Sequence, residues 1–132
     1  LDYSKLIIQN KEETKMPIEQ ICLNIKRGDS WSRTMYFEDN DGSPIDITGW
    51  TIFLTVKAKE DDADVDAVIS KTITVFSNPT AGEAVIELTP TDTNQIIESY
   101  VFDIQVKTSA GEIYTIIEGI LNISQDITTR TS

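Results

Sequence analysis

The sequence of 132 residues has no histidine, one cysteine and only eleven lysines and arginines. Without histidine there is no Ser-His-Asp triad, no Cys-His pair and no imidazole ligand for a metal. The lone Cys22 cannot close an intramolecular disulfide or build a thiolate zinc site, so packing must hold the fold. Flanked by Ile21 and Leu23, with no partner that would activate its thiol, Cys22 reads as inert. The few cations face 22 Asp and Glu, for a formal charge of −11. Such a chain lacks the field that draws in nucleic acid or an anionic membrane, and neither is an expected partner. Apolar runs are only a few residues long, against the roughly 20 that a membrane-spanning helix requires.

What the sequence has in abundance is β-branched residues: 20 Ile, 16 Thr and 7 Val. Their stiff side chains suit a pleated surface and disfavour a helix. Alternation of apolar and polar positions then marks strand after strand. Ile21, Leu23 and Ile25 share one face; Trp31, Met35 and Phe37 share the next, with Arg33 interrupting it. Asn40-Asp41-Gly42 is a turn, after which Ile45 and Ile47 lead into a strand with Trp50, Ile52, Leu54, Val56 and Ala58 on one side. Its other side carries Thr51, Phe53, Thr55 and Lys57. Further strands are expected over Val68 to Val75 and along Ala84, Ile86 and Leu88. Thr89-Pro90 has the form of an N-cap followed by proline at the first helical position, predicting one short helical turn over 90–97.

The last two strands meet across a loop at Ser109-Ala110-Gly111, with Tyr100, Phe102, Ile104 and Val106 facing inward opposite Ile113, Thr115, Ile117 and Leu121. Tyr114, Ile116 and Ile120 make the other side of that strand apolar too, which requires a second cover. The reading is all-β, an immunoglobulin-like antiparallel β-sandwich of about seven or eight strands with a single helical turn.

One domain is expected at this length, with a core that buries about two-thirds of the unfolded surface. It spans 18–128, followed by a tail at 129–132 and preceded by an extended N-terminal arm over 1–17. Residues 1–27 carry five basic and four acidic groups, so the excess negative charge belongs to the remainder, where eighteen acidic groups face six basic ones. The arm is mostly polar and cannot order itself, and Tyr3, Leu6, Ile7 and Ile8 are its candidate anchors on another chain.

Several short patterns invite functional readings. Arg27-Gly28-Asp29 spells an integrin-recognised tripeptide, but Gly and Asp in that order also make an ordinary turn, the preferred reading. Asp62, Asp64 and Asp66 alternate as in the opening of an EF-hand loop and form a weak calcium candidate. The loop then departs from that pattern, with Ala67 where glycine is needed and Ile73 where glutamate is needed. A glycosidase requires only two carboxylates, yet nothing here selects a pair. Trp31 and Trp50 would stack on a sugar if exposed, but each lies among apolar neighbours on a strand face. No cofactor is expected.

The order of marks along the chain carries more than any one of them. It runs from Lys26-Arg27-Gly28-Asp29-Ser30-Trp31 through Asp39-Asn40-Asp41-Gly42-Ser43-Pro44-Ile45-Asp46-Ile47-Thr48-Gly49-Trp50 to Val56-Lys57. Ala81-Gly82, Leu88-Thr89-Pro90-Thr91-Asp92, Tyr100 to Val106 and Gly111-Glu112 to Ile123 follow. This order resembles the baseplate upper protein N-terminal domain of tailed bacteriophages over about residues 20–128. The resemblance implies a noncatalytic structural protein located in the virion, joining a baseplate, tail or fibre attachment with other virion proteins. It also implies a homo-oligomer, with a trimer favoured. The competing expectations are a binding module for host-surface glycan or calcium, and a head-fibre or capsid-decoration protein.

Overall fold

The structure is a computed structural model that describes residues 5–10, 19–39, 41–125 and 127, with 5–10 and Glu19 described as backbone alone. The described strands are β1 (Lys5–Asn10), β2 (Glu19–Lys26), β3 (Trp31–Asp39), β4 (Thr51–Lys57), β5 (Ile69–Ile73), β6 (Glu83–Leu88), β7 (Ser99–Lys107) and β8 (Ile113–Ser124). The helical turn α1 is Pro90–Thr93. The strands form two sheets, of order β1-β3-β6 and β2-β8-β7-β4-β5. The all-β class is as the sequence implies. The expected antiparallel pairing is not complete: β1 runs parallel to β3, and β2 runs parallel to β8.

One continuous core lies between the sheets. Met35, Phe37, Ala84, Ile86 and Leu88 come from the smaller sheet and meet Leu23, Ile25, Ile52, Leu54, Val56, Phe102, Ile104, Val106, Ile117 and Leu121 from the larger. Alternation dictates this division, since every second residue of β4, β6 and β7 is buried. Trp50 belongs to this core and meets Phe37 edge-on at 5.5 Å. Ile45 and Ile47 precede β4 as irregular chain rather than strand, yet Ile47 is fully buried. There Asp46 accepts from the Thr48 amide at 2.9 Å and its hydroxyl at 2.6 Å, bonds that turn the chain before β4.

Local chemistry sets the corners. Thr89 and Asp92 cap α1 reciprocally: the Thr89 hydroxyl accepts from the Asp92 amide at 3.1 Å, and the Asp92 carboxylate accepts from the Thr89 amide at 2.8 Å. The helix ends at Thr93, short of the expected 97, because fully buried Thr93 gives its hydroxyl to the Asp29 carbonyl at 2.7 Å. The chain then leaves helical geometry at Asn94. Arg27-Gly28-Asp29 is part of this corner: Gly28 has φ 82°, and the Arg27 guanidinium donates to Asn94 at 3.0 Å. The tripeptide is a turn docked on α1.

β8 departs from strict alternation. Ile104 pairs with Ile117 and Gln105 with Thr115, so Ile116 is an extra residue, a β-bulge, and both Ile116 and Ile117 are fully buried. The bulge turns the start of the strand over. Ile113 and Thr115, expected inward, lie on the outer face with Lys107 and Gln105, while Tyr114 packs against the core. Ile116 is thus covered by its own domain, and Ile120 is left 47% exposed.

Candidate interaction surface

The outer face of the five-stranded sheet is polar and ordered in rows. Register aligns Gln20 of β2 with Glu118 of β8, Glu118 with Asp103 of β7, Asp103 with Thr55 of β4, and Thr55 with Ser70 of β5. One line of hydrogen-bonding side chains therefore crosses all five strands. Beside it runs an apolar row of Cys22, Ile120 and Val101, ending at Lys57. A third row holds Asn24, Asn122 and Ser99. The Asn122 amide donates to Asn24 at 3.0 Å and to the Cys22 sulfur at 3.4 Å. Over these first two rows, and reaching Gln105 beyond the first, lies an open recess of about 380 Å³, lined by Thr55, Lys57, Asp103, Gln105, Glu118 and Ile120 among others.

Charge within this face is unbalanced. Asp103 and Glu118 are directly opposite, an unfavourable pairing of like charges. Glu118 accepts from the Gln20 amide at 2.7 Å, and Lys57 is tied to Asp64 at 2.7 Å. Partial burial pushes the Asp103 carboxyl above its ordinary value; Lys57 opposes that rise, and Asp64 and Glu118 reinforce it. The hydrogen-bonded ion pair with Asp64 raises Lys57 despite some desolvation. Sequence reasoning named Lys57 and Thr55 as an outer strand face but missed Asp103, Gln105, Glu118 and Gln20 as its continuation. The odd-numbered positions of β7 carry the signal; β8 conceals it, because the bulge breaks parity.

The other sequence-based candidates fall elsewhere. Asp62 accepts from the Lys59 amide at 3.1 Å, Asp64 pairs with Lys57, and Asp66 lies at the end of a single 3₁₀ turn. Among the described residues, no group of three or more acidic or thiol side chains is placed to hold a metal ion, so the calcium candidate is not assembled. The loop instead uses its carboxylates on its own backbone and on Lys57. Trp50 is core, and Trp31 is half-buried with the Arg33 guanidinium 5.3 Å from its ring centre, so neither offers an open stacking platform.

Of the arm anchors, Tyr3 lies outside the described residues. Leu6, Ile7 and Ile8 are in β1, in register with Met35, Tyr36 and Phe37. Over residues 5–10 the expected free arm is an edge strand of its own sheet. The physical reason is the backbone of β3, whose edge opposite β6 offers unpaired N–H and C=O groups that a six-residue extended segment satisfies.

Among solved structures, the fold matches the N-terminal domain of phage TP901-1 ORF48 with a TM-score of 0.51, over 92% of this chain and 98% of that one. The fold is shared with a phage protein. Sequence identity in the match is 12%, so what is common is the path of the backbone. No protein-family model matches the sequence, and no curated protein matches it.

Proposed function

We propose that this chain is a noncatalytic structural protein of a tailed-phage virion, assembling into a baseplate, tail or fibre attachment through its sheet surfaces and N-terminal strand. The observation that carries this reading is the fold shared nearly end to end with one phage domain. The order of motifs from Lys26 to Ile123 supports it independently. The surface is of the right kind: hydrogen-bonding rows beside an exposed apolar strip suit a partner that is itself a protein. Other virion proteins and further copies of the chain are the partners, with three-fold assembly favoured.

Quantitative mass spectrometry of purified particles, with gold labelling to locate the protein, tests the proposal. The protein should be present in several copies per particle and localised at the tail end. Its absence from washed particles would overturn the reading. The competing class, a glycan or calcium module, has its own signature in a specific glycan-array hit or a micromolar calcium isotherm; under the structural reading both experiments are silent.

A further inference from the structure

The pairing of β1 is simple and self-contained. Its described pairing is one parallel ladder with β3, from Lys5 opposite Thr34 to Asn10 opposite Asp39. Residues 11–18 then separate it from β2, which belongs to the other sheet and pairs with β8. Every other pairing of the two sheets would be the same whichever copy of the chain supplied β1. An identical strand from a second molecule would make the same ladder, at the same edge, in the same register.

Charge indicates which part of the molecule can cross between copies. Residues 1–18 contain Lys5, Lys11 and Lys15 against Asp2, Glu12 and Glu13, and are neutral. The other eight basic and nineteen acidic residues leave the body, residues 19–132, with a charge of −11. Two such bodies repel, and the outer sheet face with Asp103 opposite Glu118 suits a different protein better than a second copy of the same face. The neutral segment 1–18, which carries β1, is the element that can join copies without pressing like-charged faces together.

We propose that β1 is an exchangeable strand, which in the assembled state leaves its own sheet and pairs in parallel with β3 of a second copy of the chain. The inference rests on the assembly reading above and supplies its route. Because the ladders in the closed and exchanged forms are the same, the balance between them depends on how concentrated the copies are. A short linker holds its own strand at an effective concentration on the order of millimolar, so dilute chains stay closed and crowded copies exchange.

The test uses the full chain carrying Cys22→Ser. One preparation carries Gln9→Cys, the other Glu38→Cys, at positions that are register partners. The two are mixed, unfolded, refolded together at about 1 mM, near the linker's effective concentration, and oxidised. A disulfide-linked heterodimer should form at roughly ten-fold the level seen when Gln9→Cys is mixed with Ala110→Cys, which sits on a remote loop, and should fall away on dilution to micromolar. A single chain with both substitutions at micromolar concentration should close intramolecularly, which checks the ladder and the folding of the variants together. The pair Lys5→Cys and Thr34→Cys repeats the experiment if the first pair folds poorly. A heterodimer at only the control level would overturn the proposal, as would failure of the double variant to close. Particles that contain the protein while the 9–38 link stays intramolecular would sink the exchange and leave the assembly reading standing. Absence from particles would sink the assembly reading instead.

Discussion

At the scale of single residues, Gly82 and Asp103 illustrate opposite relations to the fold. Gly82 is buried with φ 70°, and a Cβ there would come within 2.5 Å of the Phe37 carbonyl and 2.6 Å of the Ile45 carbonyl. Both the left-handed backbone and the two fixed oxygens penalise a side chain. Gly82→Ala should therefore cost about 3 kcal/mol, measured as a lowered urea midpoint with little change in slope. Asp103 is a residue the fold would be more stable without. Its carboxyl is raised by burial and by Asp64 and Glu118, so the folded chain holds that proton more tightly than the unfolded chain does. The resulting stability is fully present below the ordinary carboxylate value and is lost as pH rises through the raised one. Asp103→Asn should stabilise the protein at pH 7, by less than about 1 kcal/mol because solvent screens this partly exposed site, and the gain should close as pH falls through the raised value and be gone below about 4, in paired thermal melts. Asp92 has the opposite sign. Partial burial opposes its charge, but Lys71 at 2.6 Å and the Thr89 amide and hydroxyl outweigh burial and lower its carboxyl. Its contribution is present above the ordinary aspartate value and is lost as pH falls through the lowered one.

At the scale of elements, β8 is the strand on which the larger sheet depends, because it joins β2 to β7. Gly119 lies where β2 crosses closest: an added Cβ would overlap the Ile21 carbonyl oxygen. Gly119→Ala should push β2 away, so that amide exchange speeds up from Ile21 to Ile25 while β4 and β7 keep most of their protection. Uniform acceleration across the sheet would show that β2 and the central strands open as one unit. β8 also shows how far the sequence can be read. Alternation was legible in β4, β6 and β7 because each has one residue per step and one buried face. In β8 the apolar pairs Ile116-Ile117 and Ile120-Leu121 look alike, yet the first pair is a bulge with both members buried and the second is ordinary alternation. No local preference separates them; only the register imposed by β7 does. The helical turn was legible from Thr89-Pro90, whereas its end was not, since the Thr93 hydroxyl bond to Asp29 spans 64 residues. The outer polar row was hidden for the same reason, being drawn from all five strands of the sheet.

At the scale of the whole molecule, the edge strand and the body are separable. Deleting residues 1–17 removes one ladder and leaves the core residues of both sheets in place. The truncated chain should still unfold cooperatively in calorimetry, at a lower temperature. The exposed edge of β3 should make it self-associate, visible as scattering that rises with concentration. Its incorporation into particles should fail, since the strand proposed to join copies is gone. Loss of the cooperative transition would instead place β1 within the folding unit.

The parallel pairing of β2 with β8 also orders events in time. The side chains of Gln20 and Glu118 meet across 98 intervening steps of chain, so the body's first strand has no neighbour in its sheet until its last strand has been made. During synthesis β2 must wait, its Ile21, Leu23 and Ile25 unprotected, until β8 has emerged. Closure of so long a loop is entropically late and slow. The larger sheet is therefore closed only when β8 has been made, and a nascent chain released before Ile117 leaves β2 with no partner strand in that sheet.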